Sequence, residues 1–338
     1  MTASTESTAS AGAPLDERRP RGRFSDVASR SGLLGIWVLL IVLFWVLRPE
    51  TFMTGSTFKA IFSSQQALVF LAAALLCTII VGEFVDLSVP SVLSLSATIL
   101  PLLAATHGWN EWVASLVAIL ACALVGCING GLVVYLGVNT IVVTLGMSTF
   151  LLGIELLLSG SNYITGLSLS FQKIDVLNVL GLPISFYYGI AGMLVFAYVL
   201  GFTPLGKHLR FVGSNREVSR LAGVRVNRIR FGAFVAAAVI AGIGGVIASA
   251  GIGGWNPSVS DSYLLPMFAA TFLGTATVQP GRFNPIGTLA AIYFLATGIQ
   301  GLQLLGAGEW VTDVFYGGAL VIAVAVSTIV HRMLSGRA

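Results

Sequence analysis

Thr-Pro-Leu-Gly-Lys-His-Leu-Arg-Phe-Val-Gly-Ser-Asn-Arg-Glu-Val-Ser-Arg-Leu-Ala-Gly-Val-Arg-Val-Asn-Arg-Ile-Arg, residues 203–230, carries Lys207, Arg210, Arg216, Arg220, Arg225, Arg228 and Arg230, seven of the chain's 18 lysines and arginines. The residues on either side, 184–202 and 231–252, are apolar, and each run is long enough to cross a bilayer as a helix. Lysine and arginine collect on the cytoplasmic side of membrane proteins, so this stretch reads as a cytoplasmic loop between two spans. It is expected to be a docking surface, and function is expected to be driven from it.

Charged residues make up 9% of the 338-residue chain and hydrophobic residues 56%, with a mean hydropathy of +0.91. A water-soluble domain of that length needs more charge to cover its surface, so the chain is an integral membrane protein. Its formal net charge of +4 comes from basic residues at cytoplasmic span ends rather than from a basic face studded with aromatics, and no nucleic-acid partner is expected. Cys77, Cys122 and Cys127 lie in apolar runs, the last two about 140° apart around a helix, so no disulfide framework follows. His107, His208 and His331 lack the paired spacing of a zinc site, and no metal is expected.

Residues 1–31 are rich in Ser, Thr, Ala and Arg and are expected to form a disordered cytoplasmic tail. The apolar run 33–47 follows five arginines and is followed by Arg48-Pro49-Glu50 instead of small residues suited to cleavage, which makes it a signal anchor. Further apolar stretches lie at 60–81, 87–105, 112–136, 140–159, 184–202, 231–252, 264–278, 285–305 and 310–330. The expected fold is all-α: a polytopic membrane bundle of about ten transmembrane helices with broken or re-entrant elements, forming one domain over 32–334. An even count places both termini in the cytoplasm, and the basic residues agree, with Arg48, Lys59 and Lys173 the outside minority.

Ala237, Ala241, Gly245, Ser249 and Gly253 recur every four residues and give one helix face that a neighbouring backbone can approach closely; Gly126 and Gly130 repeat the arrangement. These stripes point to architecture. The polar interruption Glu83-Phe-Val-Asp86-Leu-Ser-Val-Pro90 separates two spans and is either a broken-helix element beside a pathway or an interfacial turn whose carboxylates face water. Asn129, Asn139, Thr140 and Thr144 supply side-chain hydrogen-bonding groups, either to a polar solute or between helices.

Gly201-Phe-Thr-Pro-Leu-Gly206-Lys207-His208 matches a phosphate-binding loop except at its last position. It follows a membrane span rather than a strand and spends a position on Pro204, which has no N–H, so it is rejected. No nucleophile elbow, no His-Glu-x-x-His and no acidic pair at helical spacing within a span is present, and no catalytic residue is assigned. Glu83, Asp86, Glu155, Glu309 and Asp313 all read as lying at or near span ends, which disfavours a proton-driven carrier.

From about residue 58 to 328 the chain resembles the permease subunits of ribose-type ABC importers. The matching residues are Asp86-Leu-Ser-Val, Gly126-Cys-Ile-Asn-Gly130, Thr144-Leu-Gly-Met147, Thr203-Pro-Leu-Gly206, Val212-Gly-Ser-Asn-Arg-Glu217, Arg220-Leu-Ala-Gly-Val224, Gly281-Arg282, Ile286-Gly-Thr288 and Gly301-Leu-Gln-Leu-Leu-Gly306. The resemblance implies a permease of the bacterial cytoplasmic (inner) membrane that pairs with a second copy or a paralogue, receives its solute from an extracytoplasmic binding protein and is driven by a separate ABC ATPase. The chain itself then binds no cofactor, and ATP with its magnesium belongs to the ATPase. Gly206, Gly213, Asn215, Glu217, Arg220, Leu221, Ala222 and Gly223 are the implied coupling residues, and Asp86, Ser88, Asn129, Asn139 and Thr144 the residues near the translocation route. A short helix over Glu217 to Ala222 fits this role, with Ser214 or Asn215 to cap it and Gly223 to stop it.

Pro90, Leu264, Pro266, Thr275 and Pro280 depart from the ribose-type pattern, so the expected solute is a sugar, a polyol or a related small polar molecule. A carrier energised by an ion gradient, with Ser, Thr, Asn and backbone carbonyls holding sodium, is the rival expectation. A membrane scaffold or receptor is the third, although a scaffold has no evident need for broken spans around polar groups.

Overall fold

Where apolar runs meet Pro, Gly or a capping side chain, the helices begin and end. The computed structural model describes residues 23–279 and 281–335. Helix α1 (Arg23–Leu47) stops before Arg48-Pro49, because a residue preceding proline is pushed out of the helical region, and Pro49 opens the short α2 (Pro49–Phe52). Next come α3 (Gly55–Ser63), α4 (Gln66–Ile80) and α5 (Val89–Pro101), the last continuing in a wider π-helical turn through Leu102–Thr106. Helix α6 (Glu111–Gly130) widens in the same way through Gly131–Tyr135, and α7 (Thr140–Ser159) follows. A short α8 (Leu169–Val176) precedes α9 (Ile184–Phe202), and α10 (Pro204–Ser214) and α11 (Arg216–Leu221) precede α12 (Val226–Ile252). The chain ends with α13 (Leu264–Leu273), α14 (Pro285–Leu304) and α15 (Trp310–Ser335).

Among the described residues seven helical stretches are long and apolar enough to cross a membrane, and Gly32–Leu47 and Trp310–Ala325 are shorter apolar helices. Each of the ten expected spans is occupied by helix, but 264–278 is not one continuous span. There α13 is 10 residues long, about 15 Å, and tightens into a 3-10 turn at Gly274–Ala276. The cause is a close approach: a Cβ on Gly274 would lie 2.6 Å from the Thr288 nitrogen of α14, and Asn284 Nδ2 donates to the Gly274 carbonyl at 3.3 Å. Of the expected disordered tail, residues 23–31 belong to α1, because a helix nucleated in the apolar run propagates backward at little cost, while residues 1–22 lie outside the described residues.

Helix α12 is the centre of the bundle and packs along α4, α5 and α6. Its small residues permit this. A Cβ on Gly245 would run into the Leu93 carbonyl and the Ser96 hydroxyl of α5, and one on Gly244 would lie 2.6 Å from Phe70 Cβ of α4. The second stripe, on α6, faces α12: a Cβ on Gly126 would lie 2.7 Å from Ala238 Cβ. Ser96 Oγ donates to the Gly242 carbonyl at 2.8 Å, adding a polar contact at the closest crossing.

Loops expected on the same side of the membrane meet one another. Glu83 reaches Thr140, Arg216 and Arg230, and the Phe84 ring lies 6.3 Å from that of Phe283. At the other end Ser168 donates to Glu111 through its backbone nitrogen (2.6 Å) and its hydroxyl (2.7 Å). There too, strand β1 (Ile164–Thr165) pairs antiparallel with β4 (Gly254–Trp255), with β2 (Asn178–Val179) and β3 (Leu182–Pro183) forming a second small hairpin.

Gly245→Ala is expected to destabilise the purified protein by about 1–3 kcal/mol through overpacking, read as a lower melting temperature in detergent. Gly146→Ala on α7, where nothing lies within 4 Å of the added carbon, should leave it unchanged or raise it slightly.

Candidate coupling and translocation site

The basic segment folds into two helices joined at a sharp corner. Thr203 Oγ1 accepts from the Gly206 nitrogen at 3.2 Å, and Pro204 occupies the first turn, where its missing N–H costs nothing. The phosphate-loop match therefore sits at a helix–helix junction, with Lys207 and His208 inside α10. Gly206 and Gly213 are close-approach positions: a Cβ on Gly206 would strike the Val199 carbonyl of α9, and one on Gly213 the Ile80 carbonyl at the end of α4.

Asn215 turns the corner with extended backbone, and its Oδ1 accepts from the nitrogens of Glu217 and Val218, both at 3.0 Å, which caps α11. Ser214 does not share that task, since its hydroxyl donates to the Phe211 carbonyl. Gly223 has φ +81° and ends the helix, with the Val224 nitrogen donating back to the Ser219 carbonyl at 3.0 Å. Helix α11 presents Glu217, Val218, Arg220 and Leu221 to solvent, Leu221 being 89% exposed, and Ala222 just after it is exposed too. Beside it runs a groove of about 280 Å³ lined by Arg220, Val224, Arg225, Val226, Asn227 and Arg228.

Residues 81–88, between α4 and α5, leave helical geometry, and protein groups meet their polar atoms. Asp86 Oδ1 accepts from the Ser88 nitrogen (3.1 Å) and hydroxyl (2.7 Å), Asn129 Nδ2 donates to Ser88 Oγ (2.9 Å), and the Leu87 nitrogen donates to Thr144 Oγ1 (3.1 Å). Asp86, Ser88 and Asn129 thus form one buried hydrogen-bonded chain, and the buried Thr144 holds the Leu87 backbone beside it. Asn139 is not in it: exposed, it caps α7 by accepting from the Ile141 nitrogen at 2.9 Å. Burial pushes the Asp86 carboxyl above its ordinary pKa, while the Ser88 hydrogen bonds pull the other way. Pro90 sits in the first turn of α5, so the departure there is compatible with the bend. Asp86, Ser88 and Asn129 also line a cavity of about 10 Å³, room for one water and for no larger solute, and Asn129 Oδ1 is buried without a hydrogen-bond partner.

Two acidic residues have contacts that their sequence neighbourhood does not announce. Glu83 is buried, with one carboxylate oxygen shared by Arg216 and Arg230 and the other accepting from Thr140. Glu155, expected at or near a span end, is fully buried within α7; it accepts from Ser94 Oγ, which in turn accepts from Trp255 Nε1 at 2.9 Å. Proximity to a span end thus does not place a carboxylate in water here. Among the described residues no group of three or more His, Cys, Asp and Glu side chains is arranged to hold a metal ion.

Asp86→Asn keeps an acceptor for Ser88 without a buried charge and should change stability by less than about 1 kcal/mol, whereas Asp86→Ala orphans two donors and should cost about 1–3 kcal/mol, measured by thermal melting. Asn215→Ala should cost about 1 kcal/mol locally, read as faster hydrogen exchange at the Glu217 and Val218 amides.

Among known proteins the chain is similar to the L-arabinose ABC transporter permease protein AraH of Azospirillum brasilense, at 26% identity over 92% of this chain and 91% of that protein. It is 24% identical to the D-allose transport system permease protein AlsC of Escherichia coli K12, covering 89% of this chain and 92% of that one. To the autoinducer 2 import system permease protein LsrD of the same species it is 29% identical, again over 89% and 92%. The model of one permease family matches residues 57–324, which include α11, the 81–88 segment and all the helices that pack around them. The chain belongs to that family, described as the permease component of the branched-chain amino acid transport system.

Proposed function

We propose that this chain is the membrane-spanning subunit of an ATP-driven, binding-protein-dependent importer of a sugar or a related small polar solute. Family membership favours this over an ion-gradient carrier, and the relatives named for L-arabinose and D-allose, both monosaccharides, favour a polyhydroxylated solute over an amino acid. The chain sits in the cytoplasmic membrane with both termini inside, pairs with a second copy or a paralogue, and takes its solute from an extracytoplasmic binding protein. ATP and its magnesium are bound and turned over by a separate ATPase.

The observation that carries this reading is α11. A six-residue helix fixed at both ends, by the Asn215 cap and the Gly223 stop, offers exposed Val218 and Leu221 beside Glu217 and Arg220. An isolated helix of that length would not hold its shape, and exposed apolar groups next to charges are characteristic of docking sites. Pushed by ATPase closure, α11 moves as a rigid body with α10, whose Gly213 abuts the end of α4.

Glu217→Ala combined with Gly223→Val should lower solute uptake by whole cells about tenfold or more while membrane insertion persists. Normal uptake by that variant would refute the assignment of α11 as the coupling element.

A further inference from the structure

Glu83 ties three elements together within hydrogen-bonding distance. Arg216, the first residue of α11, donates from Nη2 to Glu83 Oε1 at 2.7 Å and to the Gly82 carbonyl at 2.8 Å. Arg230, near the start of α12, donates from Nε to the same carboxylate oxygen at 2.7 Å. On the other side Thr140 Oγ1 donates to Glu83 Oε2 at 2.7 Å from the first turn of α7. One helical turn on, Thr144 Oγ1 receives the Leu87 nitrogen and donates to the Thr140 carbonyl at 2.9 Å. The 81–88 segment is therefore clamped onto α7 at Glu83 and again at Leu87. Its connection to α11 among the described hydrogen bonds runs through Arg216.

The burial of the three charges is uneven in a way that matters. The Glu83 side chain is 5% exposed and that of Arg230 is 13% exposed, whereas that of Arg216 is 39% exposed. Glu83 and Arg230 form the internal pair that would be expensive to break, since removing either partner strands a charge out of water. Arg216 reaches in from the surface helix and can be removed with that pair intact.

We infer that Arg216 is the positioning residue through which movement of α11 is passed to the 81–88 segment, with Glu83 as the receiving group. The inference rests on α11 being the coupling element. Displacing α11 pulls or releases Gly82 and Glu83 directly. Because Asp86 and Ser88 lie three and five residues further along the same non-helical stretch, the buried Asp86–Ser88–Asn129 cluster has to rearrange with them. Coupling of this kind needs a contiguous mechanical connection, and Arg216 Nη2, which bridges the Gly82 carbonyl and the Glu83 carboxylate, supplies it.

The test uses the complete importer, the permease with its ATPase and solute-binding protein, reconstituted in vesicles, and reads solute moved per ATP hydrolysed together with the melting temperature of the complex. Arg216→Ala should lower the solute-to-ATP ratio about tenfold, and Arg216→Lys, which keeps a charged donor on a shorter, more flexible side chain, should fall between Ala and wild type. A ratio equal to wild type in Arg216→Ala, whether or not the melting temperature drops, would overturn the inference and leave Arg216 a structural residue. If neither variant assembles, Arg216→Gln, which keeps a donor for the Gly82 carbonyl and the Glu83 carboxylate without the charge, provides the second measurement. Its solute-to-ATP ratio should also fall below wild type; a wild-type ratio in that variant would overturn the inference equally. Failure of the wild-type complex to link ATP hydrolysis to uptake would instead refute the function proposed above, so the two failures are distinguishable.

Discussion

Backbone that leaves helical geometry at the edge of a bilayer must have its polar groups met by protein, and the eight residues between α4 and α5 impose that constraint on everything around them. Gly82 gives its carbonyl to Arg216, Leu87 its nitrogen to Thr144, Ser88 its nitrogen to Asp86, and the Glu83 nitrogen donates back to Thr78 at 3.0 Å. These partners come from α11, α7, α4 and the segment itself, so the surrounding elements are held in register by the need to satisfy one irregular stretch.

The packing of α12 is what brings them close enough. Three helices approach it over glycine, alanine and serine, which is how helices associate when there is no water to expel and contact area with hydrogen bonding must suffice. With α12 fixed against α5 by Gly245 and against α6 by Gly126, its first turns place Arg230 beside Glu83, and α6 places Asn129 beside Ser88. Architecture and site thus share residues: the stripes that make the bundle also set the geometry of the buried polar cluster.

Much of this was legible in the sequence. Apolar runs marked the spans, the basic residues of 203–230 marked one face, and a polar break in an apolar chain marked 81–88. Asn215 and Gly223 were readable as cap and stop because both act on immediate neighbours. What sequence could not disclose were contacts between distant residues: Glu83 meets Thr140, Arg216 and Arg230 across 57, 133 and 147 residues, and Glu155 meets Ser94 across 61. Asn139 looked like Thr144 in composition but lies at a helix start, where its own backbone claims it. The span at 264–278 was misjudged because hydropathy records apolarity and not continuity, and Gly274 ends the helix for a neighbour 14 residues later.

Energy source separates this account from its rival most directly. Purified protein would be reconstituted in vesicles and solute accumulation measured, first under a sodium or proton gradient alone, then with the partner ATPase, the binding protein and ATP. Accumulation only in the second case is the predicted result. Accumulation driven by the ion gradient without the ATPase would contradict the account.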